Sequence, residues 1–288
     1  MKEFVIVAPH YTPHSMGVAT LHKMCHTINK MGGKASMIFM ETISVVSCQN
    51  EGWTNADWNT PVVKEEDLER VRQEAYVVYP EVVTGNPLGA VNVVRYMGNK
   101  EGFCNGGRLM EACENDFFIT HSKSIKADAD YVLFNAMINP VFFTEMPLPP
   151  MQRSMDATYI GKGSLYGDVR VQPHTVLIMR NWPINQEQLA IFLRNTRYVY
   201  TWDSWSATNV DAVLCGAVPY YLRYEPWTEA EIDGGELGVM PRVDATRKFN
   251  LERFNDERND MIKKIRGLMA SWDQRVADMM QAVAKHFC

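Results

Sequence analysis

The sequence predicts an α/β protein built from two doubly wound units, and three observations carry that expectation. Residues 4–8, FVIVA, are an unbroken apolar run, and a helix-spaced segment and a second apolar run at 35–40 follow it. That is the order of a parallel strand–helix–strand unit whose strands are buried on both faces. A second series in the same order begins near residue 157, after a proline-rich stretch. The tail then carries Ile262, Ile265, Leu268, Met269, Trp272, Val276, Met279, Met280 and Val283 at helical spacing. This marks a long amphipathic helix, long enough to pack across both units.

The elements follow in order. Gly17 closes the turn-rich loop HYTPHSMG, and Val18, Leu21, Cys25 and Ile28 set a helix that Gly32 and Gly33 stop. Residues 50–75 are polar, with a tryptophan-containing loop and a charged helix at 65–74. Residues 76–83 read as a strand, 90–97 as a short helix, and 117–120 and 131–134 as strands. Pro147, Pro149 and Pro150 stiffen the stretch EMPLPPMQRSM and forbid a central strand there, which places a linker. Residues 1–146 and 147–288 are therefore expected as two domains. Beyond the linker, 157–160 is a strand, 175–179 a buried strand, 187–194 a helix, 198–202 a strand and 218–222 another.

The chain has 288 residues, 46% of them hydrophobic, which is ample for a large core. A net charge of −5 excludes a dominant basic face and leaves room for a local basic groove. No apolar run reaches the roughly 20 residues of a membrane span. The N-terminus reads as a first strand rather than a signal peptide, since Glu3 interrupts it and no cleavage site follows. Six cysteines, none in a CxxC pair, read as reduced core thiols of a cytoplasmic protein. No histidine–cysteine–acid spacing suits zinc. Asp128-Ala129-Asp130 matches a DxD metal motif but precedes a strand rather than following one, so no metal site is expected. GKGSLYG, residues 161–167, fits neither GxGxxG nor a P-loop.

The informative stretch is SATNVDAVLCGAVP, residues 206–219. In an open α/β sheet, ligands bind beyond the carboxyl ends of the strands. The strand at 198–202 ends at Asp203, and the hydroxyl-rich residues 204–208 lead into a helix. The unpaired N–H groups and positive dipole of a helix start suit a phosphate, with Ser204, Ser206 or Thr208 capping it or touching the anion. Asp211 lies one turn further in, and its side chain tilts back toward the helix start. A carboxylate there can accept two hydrogen bonds from the diol of a ribose. The plainer alternative is a solvent-facing helix acid favoured by the dipole.

Asp203 and Asp211 have the spacing acid-x7-acid, and DAVLCGAVP has the form acid-Ala-x-x-x-Gly-x-x-Pro. This resembles the E-x7-E segment of retaining GT-B glycosyltransferases of the family-four class, with aspartates in place of both glutamates. The resemblance implies two Rossmann-like domains facing across a cleft. It places Asp203 near the donor sugar, Ser206, Ala207 and Thr208 at the diphosphate, and Asp211 on the ribose. TYIGKGS (158–164) resembles the family's turn where a basic residue meets the donor phosphates, with Lys162 as that residue and Gly163 allowing close backbone approach. IMRNWP (178–183) resembles the next strand end, which makes Arg180 a second phosphate clamp and Trp182 a stacking partner for the base, or a residue packed under the loop. PHSMGVATLHKMCHTINKMGG (13–33) resembles the family's glycine loop, with Gly17 near the donor. YPEVVTGNPLGAVNVVRYMGNKEG (79–102) resembles a segment of small phage and bacterial members, and there Glu81 would orient or deprotonate an acceptor hydroxyl. His10, His14 or His121 could touch donor sugar or acceptor, and His14 is the one carried as a catalytic candidate.

The implied function is transfer of a sugar from a nucleotide-diphosphate donor, UDP-sugar favoured, with retention and with no tightly bound metal or cofactor. One acceptor is hydroxylated or hydroxymethylated cytosine in phage DNA, for which Lys123, Lys126, Arg153, Arg170, Arg247 and Lys248 are the available cations. The other is a polysaccharide or lipid-linked saccharide. A nucleotide-sugar epimerase or a non-catalytic nucleotide-sugar binder are readings of another class. The oligomeric state is left open by the sequence.

Overall fold

A computed structural model describes residues 2–42, 45–47 and 53–288. Two compact units divide the chain, one of Met1–Asn135 with Leu268–Cys288 and the other of Ala136–Gly267.

The first unit holds a seven-stranded sheet. Its strands are β1 (Phe4–Ala8), β2 (Ala35–Thr42), β3 (Val45–Ser47), β4 (Tyr76–Pro80), β5 (Asn92–Met97), β6 (Phe117–Thr120) and β7 (Tyr131–Val132), in the order β3-β2-β1-β4-β5-β6-β7. All neighbours are parallel except β2 and β3. Five consecutive buried residues place β1 inside the sheet, between β2 and β4, as an apolar run without alternation requires. Helix α1 (Met16–Lys30) starts at Ser15, whose side chain caps the Val18 N–H, and turns Leu21, Met24, Cys25 and Ile28 onto the sheet. Helix α2 (Leu68–Glu74) packs Val71 on the opposite face. Residues 92–97, expected as part of a short helix, form β5 instead. Val93, Val94 and Tyr96 favour a pleated surface, and pairing with β4 at Val77↔Val93 fixes them there.

The second unit holds a four-stranded, wholly parallel sheet. Its strands are β8 (Met155–Tyr159), β9 (Val176–Ile178), β10 (Thr196–Thr201) and β11 (Val218–Tyr221), in the order β11-β10-β8-β9. Helices α3 (Gln186–Asn195) and α4 (Ala207–Leu214) flank β10 in sequence, and α5 (Glu229–Asp233) follows β11. The strand expected to be buried at 175–179 is the sheet's edge, and Val176 is 39% exposed. Its apolar run has no second neighbour to bury it.

The tail is two helices rather than one, α6 (Leu251–Ala270) and α7 (Trp272–His286), broken at Ser271. Trp272, Val276, Met279, Met280 and Val283 of α7 enter the core around α1 and β1. The Trp272 indole N–H also donates to Thr27 Oγ1 at 2.8 Å. Burying five such side chains stabilises by roughly 1.5–3 kcal/mol each, which docks α7 in the first unit.

The cysteines divide. Cys25 and Cys215 are buried thiols, whereas Cys104, Cys113 and Cys288 are exposed, so the expectation of core thiols fails for those three; Cys48 lies outside the described residues. Cys104 and Cys113 fall in the connection between β5 and β6, among glycine, asparagine and acidic residues. Among the described residues no helix is long and apolar enough to cross a membrane.

Candidate functional site

The site begins with sheet register. β8 and β10 are parallel neighbours with Tyr159 opposite Thr201, so the turns leaving their carboxyl ends lie side by side. The Trp202 N–H donates to the Tyr159 carbonyl at 2.9 Å and carries the pairing one residue further. Two residues beyond the paired positions, Gly161 and Asp203 meet.

Asp203 is buried, and its Oδ2 accepts the Lys162 backbone N–H at 3.0 Å. Burial raises the Asp203 carboxyl above its ordinary pKa, while the Lys162 charge and the backbone N–H groups of Lys162 and Trp205 oppose that rise. The Lys162 ammonium donates to the Trp205 carbonyl at 3.1 Å, so the basic residue lies along the loop that opens α4.

The two glycines of the GKG turn have separate reasons. Gly161 has φ +50°, and a Cβ there would fall 2.6 Å from Asp203 Oδ2. A Cβ on Gly163 would fall 2.4 Å from the Trp202 carbonyl oxygen. The close approach that Gly163 permits is to the chain at 202.

Ser206 is the N-cap of α4 and accepts the Thr208 N–H at 3.1 Å. Ala207 is the first helical residue, and both it and Thr208 are partly exposed. The Ser204 hydroxyl is committed to the Tyr224 carbonyl at 2.7 Å. Trp205 stacks on Trp227 with ring centroids 4.6 Å apart. At the other end of α4, Arg258 donates to the carbonyls of Val213 and Leu214, and Arg153 to that of Cys215. Two buried guanidinium groups thus satisfy the carbonyls that a helix end leaves unpaired.

Asp211 sits one turn inside α4. It keeps partial exposure, yet the surrounding protein desolvates its carboxyl and pushes the pKa up to about 8. Among the described residues no hydrogen bond or ion pair satisfies that carboxylate. An acid in this state is poised to take a partner from outside the chain, and at neutral pH it can donate as well as accept.

Lys162, Gly163, Asp203, Ser206, Ala207, Thr208 and Asp211 therefore gather at one end of the second sheet. Arg180 and Trp182 belong to the same unit but are exposed, and among the described residues no hydrogen bond or ring contact joins them to this cluster. Trp182 instead packs edge-on against Phe192 at 5.3 Å. Glu81, His14 and Gly17 lie in the first unit. Glu81 follows β4 and is buried, accepting the Gly98 N–H at 3.1 Å and the Asn99 side-chain amide at 2.9 Å. His14 is exposed in the loop before α1, and a Cβ on Gly17 would meet nothing within 4 Å.

One residue of the cluster escaped the sequence reading. Asn209 is fully buried and bonds the Asp203 carbonyl through Nδ2 at 2.8 Å. The signal was present, since Asn209 shares a helix face with the apolar Ala212 and Val213.

Asp128 and Asp130, the DxD pair, are both engaged, Asp128 with the Lys126 ammonium at 2.8 Å and Asp130 with the Phe118 N–H at 2.7 Å.

No family model matches the chain, and no curated protein matches it in sequence. Solved structures do. The chain is similar to a sucrose-phosphate synthase from Thermosynechococcus elongatus, at 9% identity and a TM-score of 0.51 over 100% of this chain and 99% of that one. It is also similar to the T4 phage beta-glucosyltransferase, at 11% identity and a TM-score of 0.47 over 98% and 99%. A third is an alpha-glucosyltransferase in complex with UDP and a 13-mer DNA, at 10% identity and a TM-score of 0.41 over 98% and 96%. The likeness is one of fold: two units with parallel sheets, the GT-B architecture of glycosyltransferases.

Proposed function

We propose that the protein is a glycosyltransferase that takes a sugar from a nucleotide-diphosphate donor, a UDP-sugar by preference, and transfers it with retention to an acceptor hydroxyl. The observation that carries this reading is the Asp211 carboxylate, desolvated and without a partner among the described residues, one turn inside a helix whose start is tied to the GKG turn through Asp203. In this reading Asp211 takes the ribose diol. The N–H groups of Ser206 and Ala207 and the hydroxyl of Thr208 take the diphosphate, with the Lys162 ammonium beside them. Asp203 stands by the donor sugar. Positive charge and N–H dipoles at the diphosphate stabilise it as a leaving group while the glycosidic bond breaks. Glu81 and His14 are assigned to the acceptor side, Glu81 orienting the hydroxyl from a carboxylate that Gly98 and Asn99 hold in place. Arg180 and Trp182 are left out of the donor assignment.

A saccharide acceptor is favoured over DNA by the state of the cations. Arg153 is buried on four backbone carbonyls, Arg247 pairs with Glu257, and Lys126 pairs with Asp128. Three of the six cations available for DNA phosphates are already committed within the chain.

The test is mass spectrometry of the protein incubated with UDP- and GDP-sugars, with oligosaccharides and with hydroxymethylcytosine DNA as separate acceptors. Saccharide product with release of nucleotide diphosphate is expected. Free nucleotide and an altered sugar without any acceptor would indicate an epimerase, and donor binding with no turnover would indicate a binder.

A further inference from the structure

We infer that the acceptor is a neutral saccharide carrying an apolar aglycone, such as an aryl group, and that a cavity of the first unit holds that aglycone. This deepens the proposed function and rests on it.

The cavity follows from the pleat. Successive side chains of a strand point to opposite faces of the sheet. Tyr96 and Ile119 enter the core shared with α7, so Met97, at the carboxyl end of β5, and Phe118 of β6 point to the other face. There the connections 98–116 and 121–130 border a cavity of about 350 Å³. Met97, Met110 and Phe118 supply its apolar lining, and Glu101, Lys126 and Asp128 supply its charge. An apolar cavity of about 150 Å³ holds a benzene ring, and small-molecule sites begin near about 300 Å³. The space suffices for an aromatic ring and part of a sugar.

The lining selects the occupant. The Lys126 ammonium donates to Asp128 Oδ1 at 2.8 Å and stands 4.5 Å from the centre of the Phe118 ring. The Glu101 carboxylate accepts the Met110 N–H. Two carboxylates against one ammonium leave the lining net negative, and negative charge repels phosphate. DNA and a lipid diphosphate are both disfavoured on that ground. A neutral apolar group gains by leaving water for the methionine and phenylalanine side chains. Each carboxylate has more acceptor sites than one hydrogen bond uses, so Glu101 and Asp128 can also take sugar hydroxyls.

The cavity adjoins the acceptor-side carboxylate along the chain. Glu81 accepts the Gly98 N–H at 3.1 Å and the Asn99 amide at 2.9 Å, and these two residues lie between Met97 and Glu101. One short segment thus holds Glu81 and lines the cavity.

Ala112 and Ala127 also line the cavity and are exposed, so Ala112→Trp and Ala127→Trp would fill it from the surface and leave the core intact. The test measures binding to the parent and to both variants by titration calorimetry. The probes are the methyl and phenyl glycosides of glucose, galactose and mannose, with 5-hydroxymethyl-2′-deoxycytidine as the nucleoside arm. The parent is expected to bind the phenyl glycoside of at least one sugar about tenfold more tightly than its methyl glycoside. In each variant that melts with the parent, the ratio is expected to fall toward one with methyl glycoside affinity unchanged. A parent ratio near one, a ratio kept in both variants, or tighter binding of the nucleoside than of every glycoside overturns the inference. Turnover with UDP- and GDP-sugars is read separately. Transfer without any phenyl preference overturns this inference alone, whereas a phenyl preference without transfer overturns the proposed function.

Discussion

The Asp203 carboxylate accepts the backbone N–H of Lys162 at 3.0 Å and, with the bond from the Lys162 ammonium to the Trp205 carbonyl, joins the turn after β8 to the loop after β10. Because burial has raised the Asp203 pKa, its ionised form is not what holds the unit together. Asp203→Asn is therefore expected to melt within a few degrees of the parent. Its turnover is expected to fall by about 100-fold or more, the loss typical when an electrostatic group beside the reacting centre is removed. Thermal unfolding and initial-rate assays on the same preparation would check both halves.

Gly163 makes a steric prediction. A Cβ at that position would sit 2.4 Å from the Trp202 carbonyl oxygen and 2.7 Å from its carbon, and backbone cannot yield as a side-chain tip can. Gly163→Ala should destabilise by about 1–3 kcal/mol and displace the loop that follows. Denaturant unfolding should show the loss, and nucleotide affinity should fall with it.

Arg153 separates a structural role from a DNA-binding one. Its guanidinium donates to the carbonyls of Leu148, Leu193, Thr196 and Cys215, and burial pulls its pKa down to about 10. Arg153→Met would leave these buried carbonyls without their donor and should lower stability by about 3 kcal/mol or more. Unfolding in urea measures this directly. A variant as stable as the parent but weaker on DNA would contradict the assignment.

Asp211 predicts a dependence on pH whose sign can be worked out. Its folded-state pKa is raised by desolvation from an ordinary value near 4 to about 8. Below pH 4 both folded and unfolded states carry the proton and the group is neutral in the balance. As pH rises from 4 to 8 the unfolded chain ionises more readily than the folded one, so stability is lost across that window. Asp211→Asn removes the titration. Its advantage over the parent should grow from near zero at pH 4 to about 2 kcal/mol or more at pH 8.5, then level off. Urea titrations at three pH values would show the divergence, and parallel curves would contradict it.

The sequence made most of this legible where local pattern and tertiary context agree. Residues 4–8 could only be a strand buried on both faces, and the strand ending near 202 and the helix that begins after Ser206 lie where the local pattern puts them. It failed where neighbours decide. The run at 175–179 is apolar, but whether a strand lies inside or at the edge of a sheet is set by the order β11-β10-β8-β9. The helical spacing of the tail continues through Ser271, so the break there, and the docking of α7 on α1, left no trace in the periodicity. The close backbone approach expected at Gly163 is made by Trp202, whose atoms lie nearest to it, and such a neighbour leaves no mark in the GKG spacing. Asn209 stands out in the sequence as one polar residue on the helix face of Ala212 and Val213, but its partner, the Asp203 carbonyl, is visible only in the structure.

The most direct measurement is calorimetric binding of UDP and 2′-deoxy-UDP, and of GDP and 2′-deoxy-GDP, to the parent and to Asp211→Ala. If the acid grips the ribose diol, the parent prefers a ribonucleotide over its deoxy form by about tenfold, and the variant binds both at the weaker level. If Asp211→Ala matches the parent in affinity and keeps the same preference, the carboxylate does not read the sugar and the donor site lies elsewhere.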